Sequence, residues 1–248
     1  MKVGIIGTGN IGGTIARKLK SAGHEIRVAN SRGPEGVQGL ADKIGATAVD
    51  VNGAVDGVDV IFLSIPLPAM RDLPKGLFQV VPQNVPIVDT SNYYPGMRDP
   101  RIPEIDEGMP ESVWVSRELG RPVIKAFNNI LAYSLGEFGR PEGSSDRLAE
   151  AVAGDDAKAK QIVMELVNDT GFDPVDAGSL AESWRQQPST PAYCCDYGMA
   201  MMRKGLAAGV KGDAPKKRDR MPELFTKLGS NPSHDDIVGM NRSLNPLV

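Results

Sequence analysis

The stretch V-G-I-I-G-T-G-N-I-G-G, residues 3 to 13, restricts what this chain can fold into more than any other. An apolar run enters Gly7-Thr8-Gly9-Asn10-Ile11-Gly12, a G-x-G-x-x-G pattern, and a helix-forming run leaves it. Alone the pattern is a weak signal; a strand before it and a helix after it are the context in which it binds a dinucleotide. Gly7 allows the tight turn, Gly9 lets the backbone approach a pyrophosphate, and Gly12 lets the helix pack close to the strand. The helix N-terminus then offers N–H groups and the positive end of its dipole to phosphate.

The following sequence keeps this rhythm. Short Val- and Ile-rich runs at 2–7, 25–30, 46–49, 59–65, 85–90 and 122–127 are continuous rather than alternating, as strands buried on both faces of a parallel sheet should be. Helical segments are expected at 10–22, 35–44, 67–78 and 112–119, which makes the class α/β with a doubly wound, Rossmann-type parallel sheet. Beyond the sixth strand, 128–139 reads as helix, 139–145 as a linker, 155–171 as a capped amphipathic helix and 172–178 as a short extended segment. From about residue 180 the chain reads as helical with Pro-marked breaks. The expected division is a dinucleotide-binding domain over 1–140 and a smaller, mainly helical, cleft-closing domain over 141–248.

At the end of the second strand stands the feature that selects the cofactor. About 20 residues past the glycines a carboxylate normally accepts from the adenosine ribose, and here the chain has Asn30, Ser31 and Arg32. A carboxylate repels a 2′-phosphate, whereas Ser31 can donate to one and Arg32 can pair with it through a charge-assisted fork. A loop arginine in water is common, but its coincidence with this position favours NADP(H). Two further strand ends should line the cleft: Ser64-Ile65-Pro66, with Ile65 and Pro66 as apolar cover, and Thr90-Ser91-Asn92 as polar partners for ribose or carboxamide.

Composition narrows the classes. With 28 Lys and Arg against 31 Asp and Glu, net charge −3, no bulk charge recruits nucleic acid, and the one basic cluster, P-K-K-R-D-R at 215–220, reads as a solvated loop or helix start. No apolar run approaches the roughly 18 residues of a membrane helix, and the start lacks the charged and apolar regions of a signal peptide. Cys194 and Cys195 are adjacent, so a bond between them would be strained; a cytoplasmic location is expected. His24 and His234, far apart, with no C-x-x-C, give no metal site.

The glycine stretch, the Asn-Ser-Arg strand end, V-I-K-A-F-N-N-I (123–130) and V-A-G-D-D-A-K-A-K-Q-I-V-M-E-L-V-N-D-T-G-F-D-P-V-D-A-G-S-L (152–180) resemble the NADPH-dependent coenzyme F-420 (8-hydroxy-5-deazaflavin) oxidoreductases. They are also similar to the cytosolic oxidoreductase domain of animal membrane metalloreductases, over roughly residues 1 to 205. The resemblance implies hydride exchange between NADPH and a flavin or deazaflavin co-substrate stacked across a cleft. It implies that Thr8, Ser31 and Arg32 hold the NADP phosphates, that Asn128 and Ile130 lie near the acceptor ring, and that Thr190 and Pro191 oppose it. The deazaflavin enzymes carry His where this chain has Asn128, residues 183–198 are more polar and aromatic, and the tail beyond about 205 is extra. The cofactor half transfers well; the acceptor half does not.

Such chemistry asks for two rings stacked within roughly 3–3.5 Å and for water kept out, so positioning carries most of it. One rival is reduction of a small carbonyl or imine with Lys125 or Tyr193 as the acid. Another is a non-catalytic NADP(H)-binding redox sensor. Lys125 reads more readily as a solvated or ion-paired strand-end lysine, and the cysteines, placed one turn from Tyr197 on an expected helix, as small buried hydrophobes. Tyr193, Tyr197 and Met201 at i, i+4 and i+8, with Met202 alongside, would form an apolar stripe suited to a homodimer or to an internal core.

Overall fold

The computed structural model describes residues 1–247. In chain order it contains β1 (Lys2–Ile6), α1 (Asn10–Ser21), β2 (Glu25–Ala29), α2 (Glu35–Ile44), β3 (Thr47–Ala48), α3 (Val51–Val55), β4 (Val60–Leu63) and β5 (Ile87–Asp89). There follow α4 (Pro103–Asp106), α5 (Glu111–Leu119), β6 (Ile124–Lys125), α6 (Ala132–Glu137), β7 (Ala149–Val152), α7 (Ala157–Asp169) and β8 (Asp173–Asp176). The C-terminal part is α8 (Met199–Ala208), α9 (Asp213–Arg218), α10 (Met221–Leu228) and α11 (His234–Leu244). Six parallel strands lie in the order β3-β2-β1-β4-β5-β6, the doubly wound arrangement whose topological switch lies between β1 and β4.

The sheet positions the site through its packing. β1 and β4 are buried apart from Lys2, and Val3, Ile5, Val28, Phe62 and Val88 face Ile15, Ala16 and Leu19 of α1 in one apolar cluster. The same cluster runs on through Ile124, Val152, Val163, Leu166 and Phe172, crossing the expected boundary at residue 140. Phe62 and Phe127 meet edge to face at 5.8 Å. Ala54, Ile61, Leu63, Trp114 and Val115 form the second cluster on the opposite face. β7 and β8 pair in parallel as a separate two-stranded sheet, tied to the main one by a bridge between Lys125 and Ala153.

Several expectations are corrected. The segment 67–78 is helical only as a 3-10 turn over Leu67–Asp72, because Pro68 and Pro74 donate no backbone hydrogen bond and Gly76 sits at φ 80°. Helix over 128–139 is confined to Ala132–Glu137; Phe127 at φ 59° turns the chain, and residues 128–131 are irregular. The helix Val51–Val55 was not foreseen, although Asp50 caps it by accepting from the Gly53 N–H. Residues 187–198 are not helical, with Ser189, Cys194 and Asp196 at φ 67°, 51° and 48°. Tyr193, Tyr197 and both cysteines therefore lie before α8, so the expected helical stripe does not form. Met202 is buried in α8 while Met201 faces solvent.

Candidate functional site

The glycine turn has the shape its spacing demands. Gly7 holds φ 97°, and a Cβ there would come within 2.2 Å of the Ser64 carbonyl oxygen. A Cβ on Gly12 would meet the Gly7 oxygen at 2.0 Å and the Ser64 Cβ at 2.8 Å, so α1 can pack this close to the turn only without a side chain. Gly9 is different: nothing lies within 4 Å of its Cβ position, and it is exposed beside half-buried Thr8 and exposed Asn10. Gly9 is also the N-cap of α1, with no side-chain cap and no acidic residue in the first turn. The first N–H groups of the helix are thus left to an external anion. Half-buried Ile11 packs against the core beneath.

The loop after β2 is fixed by Asn30. Its Oδ1 accepts from the Arg32 N–H at 2.8 Å and its Nδ2 donates to the Gly36 carbonyl at 3.1 Å. Arg32 donates to the same carbonyl at 3.3 Å, and Ser31 and Arg32 are both exposed. Gly36 is a residue the sequence analysis passed over: a Cβ there would strike the Arg32 Cβ at 2.5 Å and Asn30 Oδ1 at 2.9 Å. The G-P-E-G run, 33–36, carried that signal. Ser64 and Ile65 are half-buried and Pro66 is exposed where β4 ends.

The β5 and β6 ends hold a buried polar layer. The Thr90 hydroxyl donates to Leu63 O and the Ser91 N–H to Asp89 Oδ1. Asn92 Nδ2 donates to the Asn128 carbonyl at 2.9 Å, and Asn128 Nδ2 donates to Asn92 Oδ1 at 3.1 Å and to Gln186 O at 2.7 Å. Gln186 Nε2 completes the network by donating to Asn128 Oδ1 at 2.9 Å and to Ala151 O at 3.0 Å. Asn128 is 2% exposed, with its amide already shared between Asn92 and Gln186. Ile130, Thr190 and Pro191 are buried, Thr190 donating to Gln187 O. Gln186 thus joins the expected residues across 58 positions of sequence, a link no local pattern announces.

Behind this layer lies a sealed charge cluster. Lys125, wholly buried rather than solvated, donates to Ser91 O at 3.1 Å and stands 3.7 Å from Asp89 and 3.6 Å from Glu111. The Ser112 hydroxyl donates to Asp89 Oδ2 at 2.6 Å, and Gln187 Nε2 donates to Glu111 Oε1 at 3.0 Å. Glu111 Oε2 has no hydrogen-bond donor. Burial pushes the Glu111 carboxyl up to about 7, against the opposing pull of Lys125 and Arg218.

Fold and turn together define a Rossmann-type dinucleotide-binding protein. The family profile of the NADP oxidoreductases, coenzyme F420-dependent, matches residues 2–93. The chain is 56% identical to Escherichia coli (strain K12) protein YjhV over 108 residues, 42% of this chain and 77% of that protein. A solved structure of hypothetical protein SMa0349 from Sinorhizobium meliloti superposes with TM-score 0.63 at 30% identity, covering 75% of this chain and 89% of the other. Metalloreductase STEAP3 of Rattus norvegicus is 29% identical over 185 residues, 73% of this chain but 35% of that protein, so the match spans about a third of the metalloreductase. The chain belongs to the F420-dependent NADP oxidoreductase family. No helix among the described residues is long and apolar enough to cross a membrane.

Proposed function

We propose that this protein binds NADP(H) and transfers hydride between it and a flat conjugated acceptor. The observation that carries the cofactor half is the loop after β2: Asn30 folds it so that Ser31 and Arg32 stand exposed, with no carboxylate from 30 to 34. Gly7, Thr8, Gly9, Asn10, Ile11 and Gly12 would cradle the pyrophosphate, and Ser31 and Arg32 the 2′-phosphate. Ser64, Ile65, Pro66, Thr90, Ser91 and Asn92 would line the remainder of the cleft. When bound, the dihydronicotinamide supplies hydride; the chain orients it and excludes water.

On the acceptor side the strand ends present neutral amides and hydroxyls, with Lys125 sealed behind them. That favours an acceptor needing little acid–base help. Asn128 is then a positioning residue, setting the spacing of the Asn92 and Gln186 segments, while Ile130, Thr190 and Pro191 back the ring. With Asn128 in place of His, free flavin or another quinone-like acceptor stands on equal footing with the deazaflavin. A small carbonyl or imine is the second substrate class, favoured by the paired hydroxyls of Tyr94 and Tyr193; a non-catalytic NADP(H) sensor would show no steady turnover at all. The divided arrangement, cofactor domain 1–140 and closing domain 141–248, belongs to the same proposal.

Two measurements test it. Arg32→Ala should lose a charge-assisted contact of roughly 1.5–3 kcal/mol, about 10- to 150-fold in NADPH affinity, with NADH little changed. Equal affinity of the unmodified protein for both cofactors would remove the NADP assignment. Asn128→Leu should lower turnover with the preferred acceptor more than it lowers NADPH affinity, read from NADPH oxidation with deazaflavin, FMN, FAD, a quinone, aldehydes and imines in turn. Oxidation confined to aldehydes or imines would sink the ring acceptor.

A further inference from the structure

Beyond the Asn92 segment a partly open cavity of about 300 Å³ is lined by Tyr94, Leu131, Tyr193, Phe225, Ile237 and Asn241, together with Met97, Arg98 and Met221. Its walls continue the segments that would meet the nicotinamide: Tyr94 is two residues past Asn92, Leu131 three past Asn128, and Tyr193 two past Pro191. The other wall is α10 and α11, from the tail that the family resemblance does not reach. We infer that this cavity is the acceptor's pocket and that it takes a compact, uncharged quinone. The inference rests on the hydride-transfer function proposed above.

Five features select that ligand. The volume stands at the lower end of the roughly 300–1,000 Å³ usual for ligand pockets, and the lining is mostly apolar and aromatic. Arg98 adds little free charge, since its guanidinium is bonded to both Asp99 oxygens and to the Asn92 carbonyl. Tyr94 and Tyr193 share one hydroxyl–hydroxyl bond, which leaves a second O–H proton for a carbonyl oxygen. Asn241 donates its Nδ2 to Cys194 O at 3.1 Å while its buried Oδ1 has no partner. An apolar ring with an oxygen at each end meets the two needs in turn: its carbonyl accepts from the tyrosine pair before reduction, and the hydroxyl formed on reduction donates to Asn241 Oδ1. Burial pushes both tyrosine hydroxyls up, so they remain protonated donors at neutral pH.

The reaction balances without another reductant. NADPH gives the quinone a hydride, two electrons with one proton; a second proton enters through the tyrosine pair, replaced from water; NADP+ and hydroquinone leave.

The experiment uses the full chain and duroquinone, whose fully substituted ring offers no carbon for thiol addition. Calorimetric titration without NADPH should show saturable binding. Ile237→Trp, which fills the cavity, and Phe225→Ala, which opens its wall, should each weaken that binding at least tenfold and leave NADPH affinity unchanged. Unaltered NADPH affinity in either variant certifies that it has folded. No duroquinone binding by unmodified protein that binds NADPH overturns the pocket, as does binding indifferent to both variants. Turnover with FMN or deazaflavin that ignores both variants overturns the pocket and leaves the ring-acceptor function standing. Cavity-dependent binding without NADPH oxidation by any ring compound supports the pocket and removes the acceptor function.

Discussion

Gly12→Ala is expected to destabilise the protein and abolish NADPH binding, whereas Gly9→Ala weakens binding at least tenfold and leaves the fold intact. The Gly12 Cβ position lies 2.0 Å from the Gly7 carbonyl oxygen, a backbone atom that cannot step aside without dragging the turn. Overpacking of this kind costs about 1–3 kcal/mol and sometimes more, against a gain of about 1 kcal/mol in helix propensity from removing glycine. Because the obstruction is backbone at under 3 Å, the upper end applies and α1 must move off the sheet. Gly9 has open space around its Cβ position and an extended φ of −72° that alanine tolerates; the loss of a glycine N-cap costs under about 1 kcal/mol. A methyl there nonetheless stands where a pyrophosphate would approach the backbone, and a tenfold or greater loss of NADPH affinity is expected, about 1.4 kcal/mol. Thermal unfolding and cofactor titration of the two variants decide the matter. NADPH binding by Gly9→Ala equal to that of the unmodified protein would remove the turn from the phosphate site.

The contrast between these two glycines marks what was legible in the sequence. The sheet, its parallel order and the turn follow from hydrophobic runs and from glycine spacing, both local properties. The place of Asn30, Ser31 and Arg32 at the end of β2 was readable because their distance from the turn is set by one helix and one strand. The layer behind the cofactor cleft has no such ruler. Lys125, Asp89 and Glu111 come from β6, β5 and the start of α5; Tyr94 and Tyr193 are 99 residues apart. Residues 187–198 misled the helical expectation because three non-glycine residues there adopt left-handed backbone, which tertiary bonds enforce. The Cys194 N–H donates to Asn129 O, and Cys194 and Cys195 accept from Asn241 and Arg242 of α11. An apolar stripe at helical spacing says nothing about such ties.

Lys125→Met is expected to be the most destabilising single change in the layer, and its cost should depend on pH. The residue is sealed with two carboxylates, and removing one partner of a buried ion pair costs about 3–5 kcal/mol because the remaining charge is uncompensated. For a chain of this size that is about 6–20 °C in Tm. Glu111 sets the pH dependence. Its carboxyl stands at about 7 in the folded protein against an ordinary 4.5, so the folded state holds its proton more tightly than the unfolded chain does. The stabilisation is whole below pH 4.5, is lost as pH rises towards 7, and amounts to about 3 kcal/mol. At pH 6 Glu111 is mostly protonated and only Asp89, supported by Ser112 and the Ser91 N–H, faces the missing ammonium. At pH 8 Glu111 of the unmodified protein is mostly charged and draws on Lys125, so removing the ammonium costs most there. Glu111→Gln should act in the opposite sense, raising stability at pH 8 by up to about 3 kcal/mol and flattening the profile between pH 4.5 and 7. Glu150, buried in β7 and likewise pushed up, adds a slope of the same sign to every variant and cancels in the differences. Denaturant unfolding of the three proteins from pH 5 to 8 reads both effects. A Lys125→Met penalty identical at pH 6 and pH 8, or a Glu111→Gln profile as steep as the unmodified one, would show that Glu111 does not hold the proton.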